Sequence, residues 1–266
     1  MSETYINNKA SVLILGCGLL QKPAFIAAKE LGLKIFSVDR DNTALCVPLS
    51  DEFSPVDLKD REGIYEYAKK LKETQNLKGI FTAGTDFSAS VSYAAEKLGF
   101  HAHTFSAAMN SSDKSLMRTC FKNNRVPSPD FYYVNEGGNE GGDKAGVSGG
   151  KGSSSIEAIA LAKKIGFPCV VKPCDNMGAR GCRLVRDEDE AESAIQAAFE
   201  NSRSRTIMIE EYMEGPEFSI DAVVYKNTLT ITGFADRHIY YPPYFIETGH
   251  TMPSKIDESR KIELIR

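Results

Sequence analysis

The chain has 266 residues, 42% hydrophobic and 26% charged, with a net charge of -4. That length suits two or three lobes better than one minimal domain, and the balance is that of a soluble globular protein. The slight acidity gives no electrostatic reason to expect a nucleic-acid partner. The polar N-terminus, MSETYINNKA, lacks a signal-peptide pattern, and no run approaches the ~18 apolar residues needed to cross a bilayer. Six cysteines are scattered without a C-x-x-C pair, which fits reduced thiols in a cytoplasmic protein better than a disulfide framework or zinc site. His101 and His103 alternate as strand neighbours would, but two ligands rarely make a metal site.

The first third alternates strand and helix. Ser11 to Leu15 is a short apolar run that breaks at Gly16-Cys17-Gly18, and a helical stretch follows from about Lys22 to Leu31. Lys34 to Val38 is a second β-rich run closing on Asp39. Ile64, Ala68 and Leu71 have the spacing of a helix with one buried face. Gly79 to Thr82 reads as a third strand. Phe87, Val91, Ala94 and Leu98 mark another helix, with Thr85 or Asp86 placed to cap it. This alternation predicts a parallel sheet.

Eight of the 21 glycines fall between Gly137 and Gly152, a composition that predicts a mobile surface insertion over 135–154. Gly149-Gly150-Lys151-Gly152 has no Ser or Thr after the lysine and no preceding strand, so it is not a phosphate-binding loop. Beyond it a helix carrying Ile156, Ile159 and Ala160 leads to strand Cys169 to Val171, a loop from Asp175 to Gly181, and strand Cys182 to Val185. Helix Glu188 to Phe199 and strand Thr206 to Ile209 follow. Phe218 to Tyr225 and Leu229 to Phe234 then predict an antiparallel hairpin. The second half is therefore α+β.

Two nucleotide sites compete. Gly16-x-Gly18 follows a strand, and Asp39 stands where an acidic residue would hold a ribose, as an NAD-dependent oxidoreductase requires. However, Gln21 occupies the third glycine position, and an isolated G-x-G equally suits a structural turn. The second set is dispersed through the latter half. Lys172 ends a buried strand, where its charge is costly unless it meets an anion. The loop Asn176-Met177-Gly178-Ala179-Arg180-Gly181 offers backbone N–H groups and an arginine fork to phosphate oxygens. Glu210 and Glu217 bracket a linker through Gly215-Pro216 that could present a purine with an edge and an apolar wall.

The segments DKSLMRTCFKNNRVPSPDF, IGFPCVVKPCDNMGARGCRLV and IMIEEYMEGPEFSIDAVV, in this order, resemble the ATP-grasp superfamily. That superfamily includes biotin carboxylase, carbamoyl phosphate synthetase and D-alanine–D-alanine ligase. The resemblance implies an α/β chain with an N-terminal Rossmann-like pre-ATP-grasp domain (1–108), a first ATP-grasp lobe (109–205) and the start of a second (206–266). It implies an ATP- and magnesium-dependent ligase that activates a carboxylate for attack by an amine, both small molecules, with no nucleic acid and no membrane. A homodimer is compatible with it. By the same resemblance, Lys114 and Lys172 would contact the phosphates, and the loop containing Gly178, Arg180 and Gly181 would close over them, with Lys172 and Arg180 neutralising charge during transfer. Glu210, Glu211 and the backbone at Met213 would read adenine, and Glu217 would hold the ribose. Arg237 and His250, in the aromatic-rich stretch 237–254 otherwise read as a connecting loop, are substrate-contact candidates.

Nothing after Glu217 matches the family's Glu-x-Asn metal motif, and 257–266 reads as a charged helix without a cap. These departures predict a domain incomplete at its C-terminal end, with metal ligands beyond residue 266 and little ligase activity in this chain alone. A non-catalytic nucleotide-binding module is the alternative.

Overall fold

The computed structural model describes residues 9–136, 154–226 and 228–265. The predicted insertion at 135–154 lies almost wholly outside them. The chain divides into two compact units, one ending at Met117 and one beginning at Arg118.

In the first unit, β1 (Ser11–Leu15), β2 (Lys34–Asp39), β3 (Glu52–Pro55) and β4 (Leu77–Thr82) form a sheet ordered β3-β2-β1-β4. Every pairing is parallel. Side chains alternate across such a sheet, and the two faces are covered differently. Leu13, Leu15, Phe36 and Val38 pack with Ile64, Ala68 and Leu71 of α2 (Arg61–Thr74) and with Val91, Ala94 and Leu98 of α3 (Ser88–Leu98). Ile14 and Ile35 meet Phe25 and Ala28 of α1 (Lys22–Glu30) on the opposite face. The spacing of Ile64, Ala68 and Leu71 thus marks the buried stripe of α2.

Three local expectations differ from this unit. The strand at Gly79 to Thr82 is the fourth, because β3 precedes it as a four-residue edge strand with no fully buried residue to make it legible. Phe87, rather than Thr85 or Asp86, occupies the N-cap position of α3 and supplies no side-chain hydrogen bond. His101 and His103 lie in the bend between α3 and α4 (Phe105–Ser112), not in a strand.

Helix α5 (Lys114–Asn123) runs across the division between the units. In the second unit, β5 (Phe131–Asn135), β6 (Cys169–Pro173), β7 (Arg183–Val185) and β8 (Thr206–Glu211) form an antiparallel sheet ordered β5-β8-β6-β7. One face, including Val171, Ile207 and Ile209, packs on Ala158 and Leu161 of α6 (Ser154–Ile165) and on Ala194 and Ile195 of α7 (Glu188–Glu200). Asp187 caps α7 by accepting from Glu190 N at 3.1 Å, and three acidic residues fill its first turn, where the helix dipole favours them.

A second antiparallel sheet, ordered β11-β10-β9, comprises β9 (Glu217–Tyr225), β10 (Thr228–Tyr240) and β11 (Ile246–Thr251). The predicted hairpin is therefore one side of a larger sheet. The aromatic-rich stretch continues β10 to Tyr240 and returns as β11, where a connecting loop is the expectation. Its Pro242-Pro243 and glycine-containing sequence obscures the strand pattern, but the prolines fall in the turn between the strands. Helix α8 (Glu258–Ile265) does have an N-terminal cap, since Asp257 Oδ1 accepts from Arg260 N at 3.0 Å.

Candidate functional site

The second face of the β5-β8-β6-β7 sheet carries the site. In register, Lys172 faces Met208, Val170 faces Glu210, and Phe131 of β5 faces Glu210 from the other side. Lys172 and Glu210 are thus diagonal neighbours on one face, within reach of a long side chain. They form an ion pair through Glu210 Oε1. The anion that a lysine on a buried strand requires is therefore supplied, at least in part, by the protein itself. Lys172 lies within β6 rather than at its end.

The second carboxylate oxygen of Glu210 accepts from Arg118 of α5, with Nη2 at 3.0 Å and Nε at 3.3 Å. The three side chains are 9–17% exposed. Glu210 is thus committed to two cations, and its carboxylate does not point freely to a base edge. The motifs do not single out Arg118. Its signal was its place in DKSLMRTCFKNN, one helical turn after Lys114 and so on the same helix stripe. Lys114 itself opens α5 in the first unit.

The loop after β6 is held from below and open above. Asn176 Nδ2 donates to Asn201 O at 2.9 Å, and Arg180 Nε donates to Met177 O at 3.2 Å. Gly178 has φ +67° with open space where a Cβ would stand, so only its conformation demands glycine. Gly181, at φ +76°, is constrained twice, because a Cβ there would lie 2.7 Å from Asn201 Cβ and 2.9 Å from Pro173 Cγ.

After β8, Glu211 turns back toward the chain entering β5, where Asp130 N donates to its carboxylate at 3.4 Å. Met213 is exposed in the linker, and Tyr212 packs against Phe245 with ring centroids 6.2 Å apart. The turn between β10 and β11 folds back onto β7, where Pro243 O accepts from Leu184 N at 2.9 Å and Arg183 lies over the Tyr244 ring. A cavity of about 310 Å³ opens here, lined by Leu184, Tyr212, Glu217, Arg237, His238, Tyr240 and Phe245 among others. Glu217 and Arg237 are paired directly across β9 and β10 and make an ion pair at 3.2 Å. Arg237 also pairs with Glu247, and His250 Nε2 lies 3.6 Å from the same carboxylate. Hydrogen bonding from Arg237 holds the Glu247 carboxyl below its ordinary value of 4.5. The two substrate candidates thus share one acidic partner on the β9-β10-β11 sheet.

The N-terminal turn has a different character. Gly16 N donates to Val38 O, Cys17 N to Asp39 Oδ2 and Gly18 N to Gln21 Oε1, at 2.8–2.9 Å. Asp39 also accepts from Asp41 N. These amides and this carboxylate are satisfied within the protein, the hydrogen bonding of a structural turn. Gln21, at the third glycine position, clamps the turn to the carbonyl of Ala83.

Among the described residues no group of three or more His, Cys, Asp or Glu could hold a metal ion, and no helix is long and apolar enough to cross a membrane. The cavity has aromatic walls beside the Glu217 carboxylate, and the Lys172 cluster lies on the same unit.

Residues 165–265 match the family model described as ATP-grasp domain. The formate-dependent phosphoribosylglycinamide formyltransferase of Sulfurovum sp. is 25% identical over 217 residues, covering 81% of this chain and 51% of the relative. The chain thus spans about half the length of the curated relatives it matches. Among solved structures, the L-amino acid ligase of Bacillus licheniformis superposes with a TM-score of 0.72 at 20% identity, over 97% of this chain and 58% of that one. The biotin carboxylase domain dimer of Hydrogenobacter thermophilus 2-oxoglutarate carboxylase, in complex with MgADP, ADP and bicarbonate, gives 0.70 at 20% identity, over 96% and 56%. These likenesses establish the α/β fold, with its parallel sheet followed by antiparallel ones.

Proposed function

We propose that this chain, whose residues 165–265 match the ATP-grasp domain model, forms the nucleotide-binding part of an ATP-dependent ligase that joins a small carboxylic acid to an amine. The observation that carries this reading is an arrangement within the chain: a strand lysine, Lys172, precedes a glycine-containing loop and pairs with Glu210, near the end of the strand that leads into the linker lining the cavity. When bound, ATP would supply the phosphoryl group that activates the carboxylate, so that the amine attacks the acyl carbon and phosphate leaves.

Each residue then has a task. Lys172 and Lys114 bind phosphate oxygens, and Arg180 with the amides of Gly178 and Gly181 covers them, excluding water and stabilising charge. Glu210, Glu211 and the backbone at Met213 border the base, and Glu217 accepts from the ribose hydroxyls once Arg237 yields its pairing. Arg237 and His250 face the acid or amine. The division into 1–108, 109–205 and 206–266 belongs to the same reading, as do a cytoplasmic location and a homodimer, the latter carried over from the Hydrogenobacter thermophilus domain. Magnesium belongs to it as well, although among the described residues no group of three or more His, Cys, Asp or Glu could hold a metal ion.

Calorimetric titration with ADP, beside Lys172→Met and an NAD control, tests the reading. The parent chain is expected to bind ADP, the variant to bind at least about tenfold more weakly, and NAD not to bind. NAD binding that disappears in Asp39→Ala would replace this reading with the dinucleotide one.

A further inference from the structure

Glu210 is one carboxylate serving two cations, with Oε2 taken by Arg118 and Oε1 by Lys172. The cluster is nearly dry, and its formal charge is one positive unit. Were Arg118 apolar, Glu210 and Lys172 would form a neutral pair, and Lys172 would exert little attraction on a phosphate. Excess charge in a place with little water is stabilised by an anion. The arginine is also the cation best suited to hold its share, because its planar fork grips a carboxylate oxygen through two N–H groups.

We propose that Arg118 is a positioning residue that sets the affinity of Lys172 for the phosphate end of a nucleotide, by taking up half of the Glu210 carboxylate without itself touching the ligand. This rests on the nucleotide reading of Lys172. Glu210 becomes the element that tunes the charge of the site, in addition to any part it has at the base.

The competing account is that the three side chains merely brace α5 against the sheet. In that case their loss would loosen the whole site and weaken adenosine and ADP alike. The charge account separates the two ligands, since adenosine carries no phosphate. Calorimetric titration of the full chain with ADP and with adenosine, in parallel, reads the difference.

Arg118→Met is expected to lower ADP affinity about tenfold or more and leave adenosine affinity unchanged. Arg118→Lys, which keeps the charge, is expected to restore most of the ADP affinity. Glu210→Gln is expected to raise the preference for ADP over adenosine, and combining it with Arg118→Met should return that preference to the parent value. Circular dichroism confirms folding of each variant, and Arg118→Lys and Glu210→Gln keep the test alive if Arg118→Met does not fold. Equal losses for both ligands overturn the proposal, as does unchanged ADP binding in Arg118→Met when Lys172→Met has lost it. A parent chain that binds ADP indifferently to Lys172 overturns the nucleotide reading and this proposal together.

Discussion

Lys172 and Glu210 do not face each other across their strands; Lys172 stands opposite Met208 and Glu210 opposite Val170, and their side chains close the diagonal into an ion pair. Arg118 completes a cluster in which two cations depend on one carboxylate. Removing that carboxylate leaves both charges poorly solvated. Glu210→Ala is therefore expected to cost about 3 kcal/mol or more in urea unfolding. Lys172→Met should cost less, because Arg118 still satisfies Glu210. A Glu210→Ala midpoint no lower than that of the exposed control Glu192→Ala would show that the cluster contributes nothing to stability.

Two glycines of the loop after β6 separate conformation from contact. Gly178→Ala meets only the left-handed backbone penalty, about 1 kcal/mol. Gly181→Ala meets that penalty and also the clash with Asn201 and Pro173, so it should be the more destabilising of the two by at least about 1 kcal/mol. Thermal unfolding of both variants checks the order. Equal losses would mean that Asn201 moves aside without cost.

Acid should unfold the β9-β10-β11 sheet by a predictable route. The Glu247 carboxyl is held below 4.5 chiefly by the hydrogen bond from Arg237, and Asp236 below 3.8 chiefly by the Ser254 hydroxyl. A carboxyl whose folded value is depressed adds stability that is complete above its unfolded value and lost as pH falls through the folded one. Stability contributed by these groups is therefore intact near neutrality and declines below about pH 4.5. Glu247→Gln and Ser254→Ala should flatten the fall in melting temperature between about pH 5 and pH 3. Curves parallel to the parent's would remove the linkage.

The cysteines should divide by burial. Burial pushes the Cys17 and Cys169 thiols up to about 11 and raises Cys46 as well. Cys174 is also buried, whereas Cys120 and Cys182 are part exposed. Alkylation of the native chain near pH 7.5, mapped by mass spectrometry, is expected to label Cys120 and Cys182 first and the other four only on unfolding. Early labelling of Cys169 would mean that β6 opens locally.

The local pattern of the sequence determined much of this protein. Short apolar runs defined β1, β2 and β6, and the spacing of Ile64, Ala68 and Leu71 defined the buried stripe of α2, because such local patterns are written residue by residue. Three motifs in order carried the resemblance to the ATP-grasp superfamily, and Lys172 announced by its position on an apolar strand that it needed an anion. The rest was decided by partners far along the chain. Arg118 joins Glu210 across 92 residues, Arg237 lies between Glu217 and Glu247 only once β9 and β10 pair, and Asp39 spends its carboxylate on the Cys17 amide. Edge strand β3 and strand β11 likewise acquire their hydrogen bonds from neighbours. Periodicity records which face of an element is buried, whereas charge pairing and strand register depend on which elements the fold brings side by side.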